Sequence, residues 1–257
     1  MAGMLRLERQ APLAILTLDR PPANALNRDF FVELCAVLPS LAAADVRAVV
    51  VTGTGRFFSA GLDLPEILSY RGAEASEFMA RFDDGFTGLF ALEKPVVAAV
   101  NGHAIAGGAV LAATADFRLA AEGEGRIGVT EIQVGVPFPA SALEPIRFSC
   151  AGPALPELLY QGRVYSPAEA CARRLVDTVV PAGDLMREAV ALARELAAHP
   201  PVAFATSKRA LRAESLARMA AARAGGEDPV WATWRTPETR AAIEAFAART
   251  IGARNRR

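Results

Sequence analysis

The chain has three cysteines and two histidines among 257 residues, and its charges cancel, with 28 Lys+Arg against 28 Asp+Glu. Cys35, Cys150 and Cys171 are too few and too scattered for a disulfide framework, and none forms a CxxC pair suited to metal or redox work. They read as reduced, mostly buried thiols, and no metal site is expected. A formal charge of zero offers no field to recruit nucleic acid or an anionic membrane, so any anion site must be local. The opening MAGMLRLERQ has charges with no long apolar stretch behind them, which argues against a secretory signal and for a cytoplasmic protein. One run, residues 96–115, is nearly long enough to span a bilayer. It is broken by Asn101, Gly102, His103, Gly107 and Gly108 and bounded by Lys94-Pro95 and Asp116. A buried strand, turn and helix explains those breaks better than a membrane span.

What is present is an ordered series of local signals. The length allows one large α/β domain or a domain with an appendage, and in either case a substantial core. Short β-branched runs at 13–18, 46–52, 96–100 and 176–180 read as mostly buried strands. Asn27 is placed to cap a helix whose Phe31, Leu34, Leu38 and Leu41 share one face. Residues 64–91 mix charges and aromatics around Gly72, Gly85 and Gly88, and predict irregular helices over a pocket. Ser166-Pro167-Ala168-Glu169 is a capping box with proline in the first helical position, so a helix from 167 to about 173 should lead into the strand at 176. Leu185, Ala189, Leu192 and Leu196 mark a helix that His199-Pro200-Pro201 breaks, and Thr236-Pro237 opens a terminal helix with Ala242, Ile243 and Phe246 on one face. The organisation is a mixed α/β core over residues 1–190 followed by a helical region over 191–257. No period of a solenoid repeat stands out.

Two clusters carry the chemistry. Arg56-Phe57-Phe58-Ser59-Ala60-Gly61-Leu62-Asp63-Leu64 follows a strand directly, and its small residues let backbone approach a ligand. Asn101-Gly102-His103-Ala104-Ile105-Ala106-Gly107-Gly108-Ala109 also follows a strand and leads into helix-forming sequence, where unpaired N–H groups can receive a developing negative charge. It is neither GxGxxG nor a Walker loop. His103 with Ser59 has no GxSxG elbow around it and does not read as a hydrolase triad.

Together with Lys94-Pro95-Val96-Val97-Ala98-Ala99-Val100, these clusters closely resemble the enoyl-CoA hydratase/isomerase (crotonase) family. The resemblance continues in order through Ala115-Asp116, Ile127-Gly128-Val129-Thr130-Glu131-Ile132-Gln133-Val134-Gly135, residues 166–176 and the helix over 236–248. It implies a spiral of ββα turns ending in a helical region that covers the site and builds homotrimers or, by pairing of trimers, hexamers. It also implies an acyl-CoA substrate, with coenzyme A carried by the thioester and no further cofactor. In such enzymes two loops each donate one N–H to the thioester oxygen; the matching positions are Leu62 and Gly107. Glu131 matches one of the two glutamates of the family's hydratases, and its company of Ile127, Val129, Ile132 and Val134 would raise its pKa if the carboxylate is buried. Val110 stands where the second glutamate would be and cannot transfer a proton. The expected reaction is therefore an enoyl-CoA isomerisation by Glu131 alone, with hydration through an unusual acid, thioester hydrolysis, or a non-catalytic or RNA-binding role as alternatives.

The family's glycine-rich turn after Glu131 is replaced by Pro137-Phe138-Pro139-Ala140-Ser141-Ala142-Leu143-Glu144, which should reshape the acyl pocket. Glu144 could supply a replacement acid, although a place on a helix surface is the expectation. For coenzyme A the resemblance points to Pro22, Ala23 and Asn24, with Ala60, Leu62, Asp63, Leu64 and Gly107. Lys208, or Arg254, Arg256 and Arg257 of the tail, could meet phosphates, though a solvated tail is the simpler reading. His199 reads as a helix end.

Overall fold

The computed structural model describes residues 3–150 and 152–254, the last five of these as backbone only. Arg256, Arg257 and the side chain of Arg254 lie outside the described residues. Strands β1 (Leu5–Gln10) and β2 (Leu13–Leu18) form an antiparallel hairpin, and helix α1 (Arg28–Leu41) returns the chain to β3 (Ala48–Gly53), parallel to β2. Asn27 caps α1 by accepting the Phe30 N–H at 2.9 Å. From β3 onward the chain repeats a ββα turn. β3 and β4 (Phe57–Ser59) lead to α2 (Leu64–Ser69) and α3 (Gly72–Ala91). β5 (Val96–Val100) and β6 (His103–Ile105) lead to α4 (Gly107–Ala113), and β7 (Phe117–Ala121) and β8 (Ile127–Gly128) to α5 (Glu131–Val134). The first strand of each turn joins a six-stranded sheet ordered β1-β2-β3-β5-β7-β9, completed by β9 (Thr178–Val180); the second joins a small parallel sheet ordered β4-β6-β8. Each turn thus rises out of the large sheet, crosses the small one and delivers a helix beside it.

The remaining helices are α6 (Ala140–Ser149), α7 (Ala154–Gln161), α8 (Pro167–Ala172), α9 (Leu185–Ala198), α10 (Pro201–Ala222), α11 (Val230–Trp234) and α12 (Pro237–Arg254). The capping box opens α8 as expected, with Ser166 and Glu169 bonding reciprocally. The central strands have no polar face because both sides are covered. Val49, Val51, Ala98 and Val100 join the main core, whereas Val50, Val97 and Ala99, pointing the other way, pack with Leu185, Ala189, Ala193 and Ala197 of α9. Residue 190 falls inside this helix, so packing draws no boundary there. Among the described residues no helix is long and apolar enough to cross a membrane; residues 96–115 are β5, β6 and α4.

Two expectations are corrected. Residues 72–91 are one regular helix, not an irregular stretch. Phe78, Phe82 and Phe86 fall on one face at helical spacing, with Phe82 and Phe86 edge to face at 4.7 Å. Gly85 and Gly88 do not loosen the helix. They let α1 approach, since a Cβ on Gly88 would sit 2.3 Å from Leu38 Cδ1. Lys208 does not reach solvent phosphates. It is 6 % exposed and donates to Asp116 Oδ2 at 2.7 Å and to the Lys94 carbonyl at 2.8 Å. Arg212, buried beside it, donates to Asp116 Oδ1 at 2.8 Å, and the Val96 N–H donates to Oδ2 at 2.8 Å. One carboxylate thus ties α10 to the large sheet.

Candidate active site

Where the spiral turns end, two loops and a short helix enclose a cavity of about 590 Å³, a size suited to a small organic ligand. The first loop is held by the turn at 20–26. Leu26 N–H donates to the Gly61 carbonyl and Asp63 N–H to the Leu26 carbonyl, both at 2.8 Å, and Ala60 N–H bonds to the Ala23 carbonyl at 2.9 Å. In extended backbone successive N–H groups face opposite ways, so with Asp63 turned to Leu26 the Leu62 N–H turns from it. Gly61 has φ +84°, and a Cβ there would lie 2.7 Å from the Ile105 carbonyl and 3.1 Å from Gly107 N. The absence of that Cβ lets the two loops touch.

The second loop ends in Ala106, at φ +49° and ψ −121°, a conformation L residues avoid and which persists only where the surroundings enforce it. The Ala106 N–H is fixed on the Gly128 carbonyl at 2.8 Å. That arrangement starts α4 at Gly107, whose N–H is one of the unpaired groups of a helix start. Neither Leu62 N–H nor Gly107 N–H meets a protein acceptor among the described residues. Gly108 packs on β4, where a Cβ would come 2.3 Å from the Ser59 carbonyl oxygen. Backbone there cannot swing aside as a side chain could, so Gly108→Ala is expected to cost about 1–3 kcal/mol of stability, read as a lowered melting temperature; an unchanged melt would contradict the close approach.

Glu131 opens α5 directly after β8, which the small sheet fixes against β6. It is 8 % exposed, and its Oε2 has no hydrogen-bond partner among the described residues. Burial pushes its carboxyl up to about 8, against a smaller opposing effect of the Glu131 and Thr130 backbone N–H groups. A buried carboxyl with one oxygen left unbonded is costly, and in a cavity wall it marks a group poised to exchange a proton. Val110 lines the same cavity and is fully buried.

The structure brings Pro22, Ala23, Ala60, Leu62, Asp63, Leu64, Gly107 and Glu131 to this one cavity. Asn24 it places otherwise. The residue is 2 % exposed at φ +49°, its amide donates to the Thr54 and Phe57 carbonyls, and it holds the 20–26 turn rather than lining the cavity. Glu144 lies on α6 but not on its surface: it is 2 % exposed and paired with Arg218 at 2.8 Å and Arg147 at 3.4 Å. It does not line the cavity. Phe138, Pro139 and Ala142 of the rigid stretch do. Ser59 Oγ donates to the Asn24 carbonyl at 2.7 Å and accepts the Gly61 N–H at 3.1 Å, while His103 stacks on Phe57 at 4.7 Å, so the two form no dyad. Cys150, raised to about 12 by burial, is no nucleophile; Cys35 and Cys171 are also free, and half-buried rather than buried. His199 ends α9.

Sequence reasoning misses Arg20, which pairs with Asp63 at 2.8 Å at the cavity wall, and Phe82, Trp234 and Phe246, which close it from three distant segments. The proximity of Arg20 to the 22–24 turn is a usable signal; the aromatic walls have none, since each reads as ordinary helix core.

Residues 8–250 match the family model described as enoyl-CoA hydratase/isomerase. A probable enoyl-CoA hydratase of Mycobacterium avium is 36 % identical over 201 residues, 78 % of each protein. A carnitinyl-CoA dehydratase of Salmonella typhi is 35 % identical over 223 residues, 84 % of this chain and 82 % of that protein. In structure, the human mitochondrial delta3-delta2-enoyl-CoA isomerase superposes with a TM-score of 0.91 at 26 % identity, covering 98 % of this chain and 99 % of its own. With its ββα spiral, its paired loops and its buried glutamate, the chain belongs to the enoyl-CoA hydratase/isomerase family.

Proposed function

We propose that the protein shifts the double bond of an enoyl-CoA thioester, converting a 3-enoyl into a 2-enoyl chain. The observation that carries this reading is that, among the described residues lining the cavity, Glu131 is the ionisable side chain with no ion-pair partner and with one carboxyl oxygen left without a hydrogen bond. The other charged residues lining it, Arg20 and Asp63, are bonded to each other. Hydration as relatives perform it uses a second carboxylate to handle water, and Val110 occupies that place. An isomerisation needs one group that removes a proton and returns it.

In the proposed sequence the Glu131 carboxylate takes a proton from C2. The electron pair moves into the conjugated system, and negative charge collects on the thioester oxygen. Leu62 N–H and Gly107 N–H receive it. Each such preorganised donor contributes on the order of 3 kcal/mol in a dry site. The protonated Glu131 then delivers the proton to C4, leaving the double bond between C2 and C3. The apolar walls exclude water, which both raises the Glu131 pKa and keeps the dienolate from being quenched elsewhere.

The test is incubation of 3-enoyl- and 2-enoyl-CoA series in heavy water, followed by mass spectrometry and ultraviolet spectra. Double-bond migration with deuterium exchange and no added water is the expected result. Addition of water across the double bond would overturn the isomerase reading in favour of hydration.

A further inference from the structure

A second cavity of about 500 Å³ adjoins the first, and Trp234 lines both. It is built from the next turn of the same helices. Phe82 of α3 and Phe246 of α12 face the first cavity, Phe78 and Ile243 the second. Three or four residues of helix rise about 4.5–6 Å, so the cavities lie about one helical turn apart on either side of the buried Trp234 ring. The side chains between them are apolar, but the far end is not. Arg71, Arg235 and Arg240 reach it.

Their bonding is unequal. Arg235 is paired with Glu227. Arg71 and Arg240 instead converge on one neutral acceptor, the Leu68 carbonyl at the end of α2, at 2.5 and 2.6 Å; Arg71 also donates to the Tyr70 carbonyl at 2.7 Å. Neither has a carboxylate partner among the described residues. The two cations gather on one carbonyl, and the N–H donors they do not spend there face solvent at the exposed Arg71 and the half-buried Arg240. A planar carboxylate bridging them would replace that water with charge-assisted hydrogen bonds to both. Arg20 at the first cavity shows the contrast, since Asp63 and Glu66 already satisfy it.

We infer that the second cavity receives the distal end of the acyl chain, and that Arg71 and Arg240 hold a terminal carboxylate there. The preferred substrates are then CoA thioesters of unsaturated dicarboxylic acids. With the Trp234 ring turned aside, a chain leaving the first cavity would meet apolar walls until it reached the guanidinium pair, so the anion that fits is one carried on the chain itself. This inference rests on the first cavity being the thioester site.

The test is calorimetric titration with saturated acyl-CoA thioesters in matched pairs across a chain-length series, one ending in methyl and the other in carboxylate. Saturated chains do not react, so binding is read apart from chemistry. At the matching length the carboxylate-ended thioester should bind at least about tenfold more tightly than its methyl twin, as loss of a charge-assisted hydrogen bond implies. The Arg71→Met/Arg240→Met double variant should abolish that preference, and Arg71→Lys/Arg240→Lys should keep part of it. Equal affinities in the unsubstituted protein at every length, or a preference that survives the methionine pair, would overturn the inference. A preference that holds while no enoyl-CoA isomerises would leave this subsite standing and remove the isomerase reading instead.

Discussion

Glu131→Gln is expected to lower double-bond migration by at least about 10³-fold, within the range that proton transfer by a placed side chain supplies. Glutamine keeps the shape and the burial but cannot carry the proton, and the other ionisable residues lining the cavity are spent on each other. In the unsubstituted enzyme the carboxyl must be ionised to act as base. With its pKa raised to about 8 by burial, kcat/KM should climb about tenfold per pH unit below that value and level above it. Retention of full activity in the glutamine variant would remove Glu131 from the mechanism.

The same shift makes a stability prediction of opposite sense. In the folded protein Glu131 keeps its proton up to about pH 8, whereas the unfolded chain releases it near the ordinary value of 4.5. Between those values the native state binds more protons than the unfolded state, so stability falls as pH rises, by up to about 1.4 kcal/mol per pH unit from this group. Glutamine escapes that loss. The melting temperature of Glu131→Gln minus that of the unsubstituted protein should therefore grow more positive from pH 5 to pH 8, over the range in which the activity of the unsubstituted enzyme rises. A pH-independent difference would mean that the carboxyl is not held neutral by burial.

Asp116→Asn should be among the most destabilising single changes away from the cavity. The asparagine would leave Lys208 and Arg212, 6 % and 1 % exposed, as buried cations with no anion between them. Removing one partner of a buried ion cluster costs roughly 3–5 kcal/mol because the remaining charge stays desolvated. Urea unfolding should report that loss, and it should shrink as pH rises toward 8. Lys208 is already lowered to about 8, by burial against the opposing pull of Asp116, and falls further without Asp116. Below pH 8 the unfolded variant then binds the proton that the folded variant has shed, so the variant's stability rises with pH while that of the unsubstituted protein, its Lys208 still protonated, does not. A cost below about 1 kcal/mol would show that Asp116 is not the anchor of α10. That helix packs on α3 and α6, which help wall the cavity, so a weakened anchor should also loosen substrate binding.

The sequence by itself determined whatever depends on neighbours in the chain. The Asn27 and Ser166 caps, the strand at 96–100 and the breaks at Gly107 and His199 are legible because hydrogen bonds over three or four residues, and the strand preference of short β-branched runs, are local physics. The order of the two loops and of Glu131 along the chain is also legible. Through the ββα repeat, that order already implies one shared cavity. What only the tertiary structure decided is the partner of each polar side chain. Lys208 and Glu144 look alike as charges on helices, yet one is buried against Asp116, 92 positions away, and the other against Arg218, 74 positions away. Asn24 reads as a ligand-side turn residue until its amide is found holding Thr54 and Phe57. Arg71 and Arg240 become a pair only because α2 and α12 bring them to the same Leu68 carbonyl. Charge and hydrogen-bonding capacity are properties of a residue type, but whether they are spent or left free is set by contacts between distant segments, and no local pattern records those contacts.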